Sequence, residues 1–119
     1  EALAGYSRAV VDGDWIHVSG TTGFDYRDMS IVDDAVQQTH QCFSNISAAL
    51  AQADASLDDV IRVRYLLTDA SLFDQVAPVF GQYFARARPA ATAMVVGLID
   101  PRMKIEIEVT ARHGASSEA

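Results

Sequence analysis

Residues Ala91 to Leu98 read as a strand that is apolar or small on both faces, and such a strand needs cover from two sides. Thr92, Met94, Val96 and Leu98 fall on one side, and Ala91, Ala93, Val95 and Gly97 on the other. The cover within the chain is helical. Between Val32 and Ala53, apolar residues recur at Val32, Ala35, Val36, Phe43, Ile46, Ala49, Leu50 and Ala53, the three-and-four spacing of an amphipathic helix. A second stripe, Leu72, Phe73, Val76, Val79, Phe80, Tyr83 and Phe84, predicts another helix, in which Pro78 should cost a hydrogen bond and add a kink. Two helices cover one face of a sheet. The economical cover for the second is a symmetric homo-oligomer whose sheets pack together, with a copy number that periodicity does not set.

The remaining segments supply strands. Ser7 to Val11 and Trp15 to Ser19 are rich in β-formers and flank Asp12-Gly13, a pair favoured in type I′ hairpins. Val60 to Leu67 alternates Ile61, Val63, Tyr65 and Leu67 against Arg62 and Arg64. Ala91 to Leu98 and Met103 to Ala111 are joined across the turn-prone Asp100-Pro101. The order is ββ-α-β-α-ββ, an α+β sandwich with two helices on one face of a mixed sheet. One domain over residues 1–113 and a small, polar, flexible tail over 114–119 account for the chain.

At 119 residues and 50% hydrophobic content, a domain buries roughly two-thirds of its unfolded surface and folds without disulfide or metal. The lone cysteine, Cys42, has no partner for an intramolecular bridge, reads as buried and inert, and suits a reducing compartment. Sixteen acidic against nine basic residues give a net charge of −7, which repels nucleic acid and anionic membranes. No apolar run reaches the roughly 20 residues of a membrane span, and nothing at the start resembles a signal peptide, so the expected location is cytoplasmic. His17, His40 and His113 lack paired ligand spacing, so neither a metal nor another cofactor is expected. Ser19-Gly20-Thr21-Thr22-Gly23 lacks the lysine of a phosphate-binding loop and reads as a turn leaving the second strand, with backbone N–H groups available to a cleft.

Several landmarks then occur in order: Tyr6-Ser7-Arg8-Ala9, Val18-Ser19-Gly20, Asn45-Ile46, Arg88-Pro89-Ala90 and Ile105-Glu106-Ile107-Glu108. From Tyr6 to about Arg112 the chain resembles the RidA/YjgF/L-PSP endoribonuclease (Rid) family. The resemblance implies a chorismate-mutase-like fold and a homotrimer whose sheets form a central barrel, with small-molecule clefts between adjacent subunits. In deaminating members, an arginine grips the substrate carboxylate while a glutamate on the last strand and nearby backbone groups position water against an imine carbon. Carried over, the glutamate falls at Glu106, the cleft tyrosine at Tyr6 and a Ser-Gly pair at Ser19-Gly20. The arginine falls at Ala91. An asparagine of the second helix and a cysteine two residues past the arginine become Ala77 and Ala93.

Loss of one partner from a desolvated guanidinium–carboxylate pair costs about 2–5 kcal/mol, or about thirtyfold to several thousandfold in affinity or rate. Deamination of 2-iminobutanoate or 2-iminopropanoate is therefore expected to be weak or absent, and Glu106 would further repel an acid substrate. Arg8, two residues from Tyr6, and Arg88, three before Ala91, are candidate replacements for the lost clamp. Glu106 reads either as a cleft acid or base or as a solvated, ion-paired strand residue. Tyr6 reads as a cleft lid or as a packed hairpin residue. The functional reading is a hydrolase of deaminase type acting on another imine, enamine or related metabolite, with substrate held by Tyr6, Arg8, Ser19, Gly20 and Ala91. The alternative is a non-catalytic metabolite-binding trimer. An endoribonuclease that inhibits translation ranks last, because the acidic surface opposes RNA.

Overall fold

The computed structural model describes residues 5–118; residues 1–4 and 119, which the domain and tail boundaries include, lie outside that range. The strands are β1 (Ala9–Asp12), β2 (Trp15–Thr22), β3 (Val60–Leu67), β4 (Ala90–Val95) and β5 (Ile105–Arg112), and the helices are α1 (Ala35–Gln52) and α2 (Phe73–Tyr83). They form a mixed five-stranded sheet in the order β1-β2-β5-β3-β4, with only β3 and β4 running parallel. Both helices pack on one face, where Ile16, Val63, Ile105 and Ile107 meet Cys42, Phe43, Ile46 and Leu50 of α1 and Val76 of α2, all fully buried. Aromatic stacking ties sheet to helix and helix to helix: the Tyr65 ring of β3 lies 3.6 Å from Phe80 of α2, and that of Phe43 of α1 4.2 Å from Tyr83 of α2, centroid to centroid. The α+β layering and element order read from the periodicity are those of the structure.

Local pairing differs from the reading in four places, each for a backbone reason. The first hairpin turns on Gly13-Asp14, because Asp12 already pairs with Trp15. Gly13 alone takes a positive φ of 60° there, and Gly at the first loop position is the demand of a type II′ turn. A bulge in β3 places Val60 opposite Ala111 and then Arg62 opposite Thr110, so Val60 rather than Ile61 takes the core position. Strand β4 stops at Val95. It does not form a hairpin with β5 through Asp100-Pro101, since β3 lies between the two and residues 96–104 cross over it. Finally, β2 runs on to Thr22 past the expected turn, through a bulge between Val18 and Thr21.

Pairing register settles which side of the sheet each residue occupies. Arg62, Arg64 and Leu66 share the helix-free face with Ala90, Thr92 and Met94, whereas Ala91, Ala93 and Val95 share the helix side with Val63, Tyr65 and Leu67. Even there, Ala91, Ala93 and Val95 are exposed, because β4 is the edge strand and the helices do not extend over it. The helix-free face is more polar than β4 alone suggested: Arg64 pairs with Glu108 at 2.8 Å and Arg62 donates to Thr92 at 2.6 Å. Helix α2 runs through Pro78 without a break. Ala115–Glu118 forms a short 3-10 helix with Ser116 N–H donating to Asp59 at 3.1 Å, where the sequence reads only a polar tail. No helix among the described residues is long and apolar enough to cross a membrane.

Helix α1 starts at Asp34, whose side chain accepts from Gln37 N–H, and ends with Ala55 N–H on Leu50 O and Asp54 N–H on Ala51 O. That is a Schellman arrangement, which places Asp54 at a positive φ of 58° where glycine is the favoured residue. Asp54→Gly is expected to raise stability by on the order of 0.5 kcal/mol, the relief of left-handed strain less the added chain entropy of glycine. A shift of the urea midpoint upward at unchanged slope would show it; an unchanged or lower midpoint would count against this cap.

Candidate functional site

The bulge in β2 is where the site begins. Between Val18, opposite Val109, and Thr21, opposite Ile107, β2 carries one residue more than β5, and Ser19-Gly20 occupy the irregular stretch. Ser19 is spent on local structure: its N–H donates to Arg8 O at 2.8 Å and its hydroxyl donates to Ser7 O, tying the N-terminal segment to the bulge. Gly20 is kept side-chain-free by Glu106. A Cβ built there would stand 2.7 Å from both Cδ and Oε2 of that carboxyl. Glu106 alternates with buried Ile105 and Ile107 along β5 and so projects from the helix-free face, opposite Thr22.

Around Glu106 lies an open cleft of about 440 Å³, walled by Tyr6, Arg8, Phe24, Tyr26, Met29, Ile99 and Arg102. Tyr6, Arg8, Ser19, Gly20 and Tyr26 also surround a small adjoining recess. Five of the six residues singled out in the sequence thus converge: Tyr6, Arg8, Ser19, Gly20 and Glu106. Ala91 does not. It sits on the far edge strand and on the helix side of the sheet, three residues along from Met94, whose partner Leu66 pairs with Glu106. Arg88 is also remote, near Ile61, Pro89 and Arg112 at the other end of β3. Sequence reading missed Tyr26, Met29, Ile99 and Arg102, because each comes from a connecting loop whose path no periodicity reports.

Electrostatically the cleft is mixed. Burial, and then Glu108 on the same strand, raise the Glu106 carboxyl above the usual carboxylate range. Glu106 makes no hydrogen bond or ion pair with another described residue, whereas Glu108 is held by Arg64. The Arg8 guanidinium lies 4.0 Å from the centre of the Tyr26 ring and that of Arg102 5.0 Å from Phe24. Arg102 is also paired in two-pronged fashion with Asp100, which holds that carboxyl down at about 2. Beneath the site, burial pushes the Cys42 thiol far up and it donates to Thr21 O, so Cys42 is no nucleophile. No group of three or more His, Cys, Asp or Glu among the described residues could hold a metal.

Two amides on α1 fix the cleft walls. Fully buried Gln38 donates to Val32 O at 2.8 Å and Arg102 O at 2.9 Å, and accepts from Lys104 N–H at 2.9 Å. Asn45 donates to Thr22 O at 3.1 Å and Phe24 O at 2.8 Å. Gly23 lets the strand come this close, since a Cβ there would meet the Gln38 backbone at 2.8 Å.

The contact between Gly20 and Glu106 yields two expectations. In Gly20→Ala the flexible carboxyl moves rather than the backbone, so the melting temperature should change by only a few degrees while binding in the cleft falls; a large loss of stability would refute that picture. Because the folded chain holds the Glu106 proton more tightly than the unfolded chain, its stabilising share is present in acid and lost as pH rises through the raised value. Glu106→Gln should therefore be more stable than the parent at neutral pH, with the difference vanishing below the carboxylate range. Urea titrations at both pH values check this, and a neutral-pH loss would overturn it.

Comparison with known proteins places this geometry in a family. The family described as Endoribonuclease L-PSP matches residues 1–113. A RutC family protein of Pyrococcus abyssi is 36% identical over 107 residues, covering 89% of this chain and 84% of that protein. A 2-iminobutanoate/2-iminopropanoate deaminase of Capra hircus is 31% identical, covering 99% of this chain and 87% of its own. Among solved structures, a YjgF/YER057c/UK114 family member from Mycobacterium tuberculosis is 40% identical, with a TM-score of 0.85 and coverage of 94% and 90%. RidA from an Antarctic Psychrobacter is 33% identical, with a TM-score of 0.87 and coverage of 94% and 91%. With the family match spanning residues 1–113 and the fold shared with these solved structures, the protein belongs to the Rid (YjgF/L-PSP) family.

Proposed function

We propose that this protein is a cytoplasmic homotrimeric hydrolase of deaminase type, acting on an imine or enamine other than 2-aminoacrylate in clefts completed by a neighbouring copy. The observation that carries the reading is the Glu106 carboxyl, half-buried over Gly20 at the cleft floor, raised by burial above the usual carboxylate range and unengaged by any other described residue. A carboxyl so placed suits general acid–base work. Glu106 takes a proton from water as the water oxygen bonds to the imine carbon. The proton then passes to nitrogen to give a carbinolamine, whose hydroxyl yields its own proton through Glu106 to the same nitrogen as the C–N bond breaks, and ammonia and a carbonyl compound leave. The sum is imine plus water to carbonyl plus ammonia, with no redox change.

Similarity to iminobutanoate deaminases supports the reaction class, and Ala91 supports the departure in substrate. Ala91 lies across the sheet from Glu106, so the clamp position enters this reading only from the β4 edge of an adjacent subunit. A non-catalytic binding trimer would need the same cleft, and turnover separates the two. The acidic surface of net charge −7 weighs against an RNA substrate.

Replacing Ala91 with arginine provides the test. On 2-iminopropanoate the parent should be slow, and Ala91→Arg should raise kcat/KM by about tenfold or more, the lower part of what a two-pronged clamp contributes. Adding Glu106→Gln should abolish the gain. Rapid clearance of this imine by the parent would overturn the proposal, and a silent Ala91→Arg would show that divergence extends beyond the clamp.

A further inference from the structure

We infer that the Glu106 cleft selects a ligand with a bulky apolar body, aromatic or branched aliphatic, and a nitrogen head that donates hydrogen bonds, in preference to a short imino acid. The inference rests on the proposed function for the reaction but not for the binding. Its basis is a cluster of exposed side chains: of the ten large hydrophobics exposed among the described residues, Tyr6 (53%), Tyr26 (39%), Met29 (58%) and Ile99 (96%) stand around this one cavity. Exposed apolar surface gathered at the mouth of a concave site, with a few polar groups at its floor, is the composition of a small-molecule pocket.

These side chains are presented by loops that are tied down. In the segment 25–30, Asp25 N–H donates to Ser30 O and Met29 N–H to Asp25 O, each at 2.8 Å. The side chains of Asp25 and Asp28 are spent on Arg27 and Ser30. Met29 itself is held at a positive φ of 57°, a conformation that costs a side-chain-bearing residue energy and is maintained only by its surroundings. Ile99 precedes the Asp100 turn, which Arg102 locks from both backbone and guanidinium.

The polar lining points the same way. Two guanidiniums, Arg8 and Arg102, line the cleft together with two carboxyls, Asp100 and Glu106, so its arginines sit among acidic groups rather than as an isolated clamp for an acid. Arg102 is matched by Asp100, and both guanidiniums already stack on aromatic rings. At the floor, Glu106 is an acceptor for an N–H donor. A phenyl body against this rim should therefore gain on the order of tenfold to hundredfold over a methyl group.

Calorimetric titration of the full chain with benzylamine, ethylamine and benzoate tests the inference without requiring turnover. Benzylamine should bind at least about tenfold more tightly than either of the others. Ile99→Ser and Met29→Asn, the latter tolerant of positive φ, should each erase severalfold of that preference, with size-exclusion and circular dichroism profiles matching the parent's to show that fold and assembly are kept. Equal affinity for benzylamine and ethylamine, benzoate binding as tightly as benzylamine, no benzylamine binding, or indifference to both substitutions would each overturn it. Hydrolysis assays separate the two readings. Benzylamine bound with no imine of any size hydrolysed would sink the hydrolase and leave the pocket, whereas short and phenyl-bearing imines cleaved alike would do the reverse.

Discussion

The cleft depends on polar groups buried between α1 and the loops above it. Gln38 has no water to turn to, so its amide is satisfied only when Val32, Arg102 and Lys104 bring their backbones to it. A buried amide left unpaired costs about 1–3 kcal/mol, which makes this arrangement close to obligatory once α1 is packed. Asn45, one face of the same helix further on, does the same for Thr22 and Phe24. The functional walls are loops, but loops hung from a helix whose other side is hydrophobic core.

That scaffold positions a carboxyl that little else in the chain satisfies. Glu106 is dictated by strand alternation to leave the core face, and the β2 bulge with Gly20 gives it room. Glu108, two residues on, meets Arg64 and becomes part of the sheet surface. The two glutamates are alike in sequence and differ only in what β2 and β3 set across from them. Burial, and then the like charge of Glu108, is what raises the Glu106 carboxyl above the usual carboxylate range.

Much of the fold was legible because the helices and strands obey their periods. The helix over Val32 to Ala53 was overextended by a few residues at its start, since Val32 fits the apolar spacing although Asp34 caps the helix. Ile61 was grouped with Val63, Tyr65 and Leu67 because simple alternation has no means of registering a bulge. The turn-prone Asp100-Pro101 does join the last two strands, but a turn marks a change of direction and does not say which strand lies next. For the site, Tyr6, Arg8, Ser19, Gly20 and Glu106 were nameable from ordered motifs. Tyr26, Met29, Ile99 and Arg102 were not, as loop residues carry no pattern until backbone pairing fixes their path.

The sequence by itself determined the two amphipathic helices, the alternating strands, the family and the alanine where deaminating relatives are expected to carry arginine, because each is a local property of residue type and spacing. Only the tertiary structure decided that β3 separates β4 from β5, that Ala91 faces away from Glu106 within one chain, and that an apolar rim surrounds that carboxyl. Those outcomes arise from contacts between segments far apart in the chain. Their energies depend on strand pairing and burial, which exist only once the sheet has formed.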